Sequence, residues 1–230
     1  MVNQSTSRKL VVTDLGLIDY QLAWDLQLGF HEKRRRNEIQ DILFICEHPH
    51  TYTLGKVAER SNLLLSKEEL KARKISVFEI DRGGDITYHG PGQIIGYAIL
   101  NLENWKKDTH LYLRSLEEVI IKTCEAYGLD AGRNESFTGV WIEDRKICAI
   151  GIKVSRWITM HGFAFNVNSD LNLFDGIIPC GIQEKSVTSL SVEKNNDIDM
   201  KQAKEKVIAN FKEVFEYDLV SLKTLDEIQN

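Results

Sequence analysis

Two short stretches of this chain hold residue types that could do chemistry. The first, Arg82-Gly83-Gly84-Asp85-Ile86-Thr87-Tyr88-His89-Gly90-Pro91-Gly92-Gln93, packs four glycines, one proline, an arginine, a histidine and two hydroxyls into twelve residues. Glycine there permits positive φ and close approach of a ligand to the backbone. Arg82 can clamp or position, and Tyr88 and His89 can donate hydrogen bonds. A plain turn between strands would use the same glycines and proline, so composition alone leaves both readings open. The second stretch, Ile177-Ile178-Pro179-Cys180-Gly181-Ile182, sets a cysteine between a proline and a glycine, in neither a strand nor a helix pattern. A nucleophilic cysteine acts as the thiolate, so it needs exposure and a lowered pKa. Cys46, Cys124 and Cys148 look structural. Cys46 and Cys124 lie in apolar runs of a strand and a helix, where a free cysteine is a small buried hydrophobe.

Lys146 is the next candidate. Strand alternation over residues 146–154 places Lys146, Cys148, Ile150, Ile152 and Val154 on one face and Ile147, Ala149, Gly151 and Lys153 on the other. Lys146 would then open the more apolar face, where desolvation disfavours an ammonium. It could act as acid or base, or as a cation beside a thiol. As first residue of the strand it could equally reach back to solvent. His89 and His161 could each serve as base to a cysteine or as a hydrogen-bonded structural histidine. Cys46, His48 and His50 match no usual zinc spacing, and the glycine spacing fits no nucleotide loop. No metal is expected.

The elements that must position these residues read as α+β. Strands are expected at residues 10–13, 41–47, 75–80, 93–102, 139–142, 146–154 and 158–168. Helices are expected from Asp19 into Lys33-Arg34-Arg35-Arg36, from Leu113 to Tyr127 with Gly128 as cap, and from Met200 to Val214. Adjacent hairpins in the middle point to a mixed, largely antiparallel β-sheet flanked by helices rather than a doubly wound parallel fold. Only three prolines and no spacer interrupt the 230 residues, so one domain spanning 1–230 is expected. The content is 43% hydrophobic and 27% charged, enough for a sizeable core. A net charge of −5 argues against nucleic acid as main partner. No apolar run approaches the roughly 20 residues that span a bilayer. The polar first nine residues and only four cysteines lead us to expect reduced thiols in the cytoplasm. Residues 33–36 form the densest basic cluster, suited to a helix C-terminus or to steering an acidic partner.

Taken together, the motifs resemble the octanoyltransferases of lipoate biosynthesis. The resemblance rests on Arg82 to Gln93 and, in order around it, on Glu47-His48-Pro49-His50-Thr51-Tyr52-Thr53-Leu54-Gly55, Arg145-Lys146-Ile147-Cys148-Ala149-Ile150-Gly151, His161-Gly162-Phe163-Ala164-Phe165-Asn166-Val167-Asn168 and Pro179-Cys180-Gly181-Ile182. It implies a fold shared with biotin and lipoate protein ligases and a Cys/Lys dyad at Cys180 and Lys146. It implies an acyl pocket walled by Arg82, Gly83, Gly84, Asp85, Ile86, Thr87, Tyr88, His89, Ala149, Ile150, Gly151, Gly162, Phe163 and Ala164. Phe165 stands where the family often has leucine, and His50 where it often has proline. The implied donor is octanoyl-acyl carrier protein, whose phosphopantetheine arrives with the substrate, so no cofactor of the enzyme's own is implied. The implied acceptors are lipoyl domains of 2-oxoacid dehydrogenase complexes and the glycine-cleavage H protein. A monomer without membrane or nucleic-acid partner is expected. An ATP-dependent lipoate-protein ligase and a cysteine-dependent acyl hydrolase are the alternatives.

Overall fold

A computed structural model describes residues 7–178 and 186–229. In chain order the elements are β1 (Lys9–Leu17), α1 (Tyr20–Arg35), β2 (Asp41–Glu47), β3 (Thr51–Leu54), α2 (Lys67–Ala72), β4 (Ser76–Glu79), β5 (Ile86–His89), β6 (Gln93–Ile99), α3 (Thr109–Glu125), β7 (Gly132–Arg133), β8 (Val140–Ile142), β9 (Arg145–Ser155), β10 (Ile158–Asn166), β11 (Ser186–Val187), α4 (Leu190–Lys194), α5 (Met200–Val214), β12 (Leu219–Leu222) and α6 (Leu225–Gln229).

Among the described residues the strands form a large sheet in the order β12-β1-β2-β6-β10-β9-β8-β7, with β11 beside β9, and a small sheet in the order β4-β3-β5. In the large sheet β12, β1 and β2 run parallel, as do β11 and β9; every other pairing is antiparallel. The expected mixed, largely antiparallel sheet is therefore what forms. Every residue of β6 and β10 is buried. A strand covered on both faces must be apolar almost throughout, which is why β2, β6 and β10 read clearly as apolar runs. The small sheet was not expected, because β3 and β5 are short and rich in threonine, tyrosine and histidine.

Helix starts are set by side-chain caps. Asp19, Asp108 and Asp199 accept hydrogen bonds from the first free N–H groups of α1, α3 and α5. Ser66 and Glu69 close a reciprocal capping box on α2. After α3, Gly128 adopts φ +73°, as a C-terminal cap requires.

Two helices cover one face of the large sheet: Leu116 and Ile120 of α3 and Val207 and Phe211 of α5 pack with Leu43, Ile94, Cys148 and Phe165. On the other face Ala23 and Phe30 of α1 meet Phe44, Ile95, Tyr97 and Ala164. A third cluster joins Tyr52, Leu54, Ile86 and Tyr88 of the small sheet to Phe174 and Ile177. The small sheet thus stands beside the α1 face of the large one, and the gap between them is the site.

Candidate active site

A cavity of about 490 Å³ lies between β9 and β10 on one side and the residues leading into β5 on the other. That size suits a small ligand or the arm of a larger one. Arg82, Gly84, Asp85, Ile86, Thr87 and His89 line one wall; Ala149, Ile150, Gly151, Gly162, Phe163 and Ala164 line the other; Lys146 lines it too. Cross-strand register explains the second wall, since Gly162 pairs with Gly151 and Ala164 with Ala149. Small residues opposite one another leave room above the sheet. Two expected lining residues do not line the cavity. Gly83 is tied to β9 by its N–H to the Ile152 carbonyl at 2.9 Å. Tyr88 points into the small-sheet core, where its hydroxyl meets His50 Nδ1 at 2.9 Å. The alternation of β5 sends Tyr88 away from its neighbours Thr87 and His89.

The Arg82 wall is held by polar contacts. Arg82 Nη2 donates to the Thr53 carbonyl at 2.8 Å and to Thr53 Oγ1 at 2.9 Å. Next to it, Asp81 pairs with Lys153 and accepts from His161 Nε2 at 2.9 Å. Burial works against the Asp81 carboxylate, but these two bonds outweigh it and hold its pKa below the usual value. A Cβ at Gly151 would stand 2.8 Å from both Arg82 Cδ and the Gly83 oxygen. The glycine at 151 therefore first makes room for the protein's own arginine. Asn62 braces the same wall. Its side chain donates to Asp85 at 2.8 Å, and its carbonyl accepts from the Ile178 N–H at 2.8 Å.

Burial disfavours the charged form of both candidate histidines, His89 and His161. It pushes His161 down to about 4 and His89 well below its ordinary value. His161 also takes φ +61°, with its N–H donating to Gln27 Oε1 at 2.9 Å. Its place is at the Asp81 anchor. His48, in the discarded metal motif, is spent on the Ile18 carbonyl and the Tyr97 hydroxyl.

Lys146 differs from its sequence-based placement. β8 and β9 are in register at Val140 with Cys148, but Trp141 pairs with Lys146, so one extra residue, Ile147, bulges from β9. A bulge puts the preceding residue on the opposite face. Lys146 consequently shares the face of Ala149 and Gly151 and lines the cavity, while Cys148 stays in the core with Ile147. On its other side Lys146 pairs with Val187 of β11, and its carbonyl accepts from the Thr188 N–H at 3.0 Å.

Cys46, Cys124 and Cys148 are free, fully buried thiols. Burial raises all three pKa values, that of Cys124 to about 12, so none is a ready nucleophile. Pro179, Cys180, Gly181 and Ile182 lie outside the described residues. The described chain before residue 179 and after residue 185 reaches the cavity: Phe174 and Val187 line it, and Ile177 bridges to Leu63. Tyr20, Tyr97, Phe137, Phe174 and Val187 line the cavity without having been singled out from sequence. They come from five separate segments, and no local motif joins them.

The basic cluster at residues 33–36 is largely neutralised. Arg34 is buried against Asp41 at 2.9 Å, and Arg35 and Arg36 both pair with Glu32. No described helix is long and apolar enough to cross a membrane.

The family model for the lipoyl protein ligase A/B catalytic domain matches residues 19–212. The chain belongs to this family. Among its similar relatives is a protein named octanoyltransferase from Christiangramia forsetii, 47% identical over 93% of this chain and 98% of its own length. Another of the same name, from Thermoanaerobacter pseudethanolicus, is 46% identical over 97% of this chain and 98% of its own length. Solved structures similar in fold include lipoate-protein ligase A bound with ATP, with TM-score 0.73 and 16% identity over 97% of this chain and 92% of that one. A bipartite lipoate protein ligase from Thermoplasma acidophilum gives TM-score 0.72 and 16% identity over 97% and 90%. At that identity the likeness shows the lipoate ligase fold alone.

Proposed function

We propose that this protein transfers an octanoyl group from octanoyl-acyl carrier protein to a lysine of lipoyl domains, including those of 2-oxoacid dehydrogenase complexes and the glycine-cleavage H protein, in lipoate biosynthesis. The observation that carries the reading is Lys146. A bulge turns it into a cavity whose walls are the glycine-rich segment and the small residues of β9 and β10, and the flank that follows Cys180 is paired with Lys146 itself. Full-length relatives named octanoyltransferase support the same reading.

In the proposed reaction Cys180, ionised with the help of Lys146, attacks the carbonyl carbon of the octanoyl thioester. A new C–S bond forms on Cys180, the bond to the phosphopantetheine sulfur breaks, and that sulfur leaves as a thiol with a proton delivered by Lys146. In the second half the acceptor lysine amine attacks the acyl-enzyme, its surplus proton passes to Lys146, and the Cys180 thiolate is released as the amide forms. Splitting the transfer lowers each barrier. A thioester stands above an amide in free energy, so neither ATP nor a resident cofactor or metal is required. The protein acts as a monomer in the cytoplasm.

The test is transfer of octanoate from octanoyl-acyl carrier protein to a lipoyl domain without ATP. Amide formation on the acceptor is expected. Transfer only with ATP and free octanoate would assign a ligase instead, and release of free octanoate without an acceptor would assign a hydrolase.

A further inference from the structure

Lys146 is fixed well beyond its backbone pairing. Its aliphatic arm crosses Gly139, where a Cβ would come within 3.5 Å of Lys146 Cε and 3.6 Å of Cδ. The arm ends with Nζ 4.7 Å from the centroid of the Trp141 ring. The two residues are cross-strand partners on one face, so the contact follows from register. The ring is itself anchored. Trp141 is 4% exposed, and its Nε1 donates to the Phe137 carbonyl at 3.2 Å. The Gly139 N–H donates to Glu117 Oε1 at 3.1 Å.

Charged groups on the surrounding elements are engaged with one another. Glu117 of α3 pairs with Arg114 and Arg133, and Arg145 of β9 pairs with Glu143 and with Glu193 of α4. Across the cavity Arg82 is bonded to Thr53 and Asp85 to Asn62, while burial disfavours the charged form of His89 and His161. Asp144 lies exposed in the β8–β9 turn.

We propose that Trp141 is a positioning residue for Lys146, its indole face holding the ammonium at the edge of the cavity; the use of that ammonium in catalysis rests on the function proposed above. A half-buried ammonium loses hydration, which disfavours the charge. The ring quadrupole offsets this, and tryptophan is the strongest aromatic partner for a cation.

The test is competitive acetylation of the full-length chain with acetic anhydride across pH, with Lys146 labelling followed by peptide mass spectrometry. In Trp141→Leu the midpoint of Lys146 labelling is expected to fall by roughly half a unit to one unit, and in Trp141→Phe by less. Thermal unfolding checks that each variant is folded, and a merely structural Trp141 would lower stability without moving the midpoint. If Trp141→Leu does not fold, Trp141→Phe decides alone. An unchanged midpoint in the folded variants overturns the proposal. The labelling does not depend on the transfer reaction. A shifted midpoint with no octanoyl adduct on wild type would keep the Trp141 contact and remove the proposed function; a normal adduct with an unmoved midpoint would do the reverse.

Discussion

Lys146 and Lys153 stand on the same face of β9, both partly buried, and they are held in opposite ways. Lys153 is paired with the Asp81 carboxylate, which also takes a hydrogen bond from His161. Its charge is consumed in fastening the start of the Arg82 wall to the sheet. Lys146 ends over the Trp141 ring at the cavity edge. One lysine is locked to build the wall, while the other lies against an aromatic face at the edge of the cavity where chemistry is proposed. A lysine's contact partner, more than its position on a strand, separates a scaffold from a reactive group.

The sharpest way to break this contrast is to remove each lysine. Lys146→Ala is expected to lower octanoyl transfer by about 10²–10⁴-fold, the range of a lost acid–base group. Lys153→Ala loses a partly exposed ion pair, costing about 0.5–1 kcal/mol in stability and less than about fivefold in turnover. Steady-state transfer assays compare the two, and equal losses would erase the distinction.

The anchoring side is tested by acid. His161 titrates near 4 in the folded chain because burial opposes its charge, against about 6.5 when unfolded. Between those values the unfolded state binds a proton that the folded state does not. Stability therefore falls as pH drops from about 6.5 toward 4 and is level above that window, with His161 contributing up to about 3 kcal/mol. His48, held down to about 4 for the same reason, adds to the slope. Asp81, whose folded pKa is depressed, adds a further loss below about pH 4. Denaturant unfolding at pH 7.5 and 4.5 should show the slope, and His161→Gln should flatten it.

A smaller effect is expected from Asp81→Asn. It weakens the anchor by about 1–2 kcal/mol and should raise KM for the octanoyl donor more than it lowers kcat, since the wall loosens while Lys146 stays in place. The smallest effect belongs to the basic helix end. Arg36→Ala should leave the salt dependence of turnover with carrier protein almost unchanged, because Arg36 already pairs with Glu32. A marked loss of salt dependence would show that residues 33–36 steer the carrier after all.

Much of the large sheet was legible in the sequence. Residues 41–47 form β2 at those bounds, because a central strand buried on both faces has to be a continuous apolar run. α5 begins at Met200 and ends at Val214, as its apolar spacing indicates. The small sheet was hidden, since Thr51–Leu54 and Ile86–His89 are short and polar enough to pass for loop. Motif resemblance singled out Lys146, which lines the cavity, but its orientation was not legible. Simple alternation put it beside Cys148, and the extra residue at Ile147 reverses that face with no mark in the local sequence. Tyr88 was placed in the pocket by its company in a glycine-rich segment, whereas the strand period sends it into the core.

The most direct test of the account is intact-protein mass spectrometry after mixing the chain with octanoyl-acyl carrier protein in the absence of ATP. The expected result is an octanoyl adduct that hydroxylamine removes, that a lipoyl domain discharges as an amide, and that Cys180→Ala does not form. Near-normal transfer by Cys180→Ala, or transfer by wild type with no adduct, would contradict it.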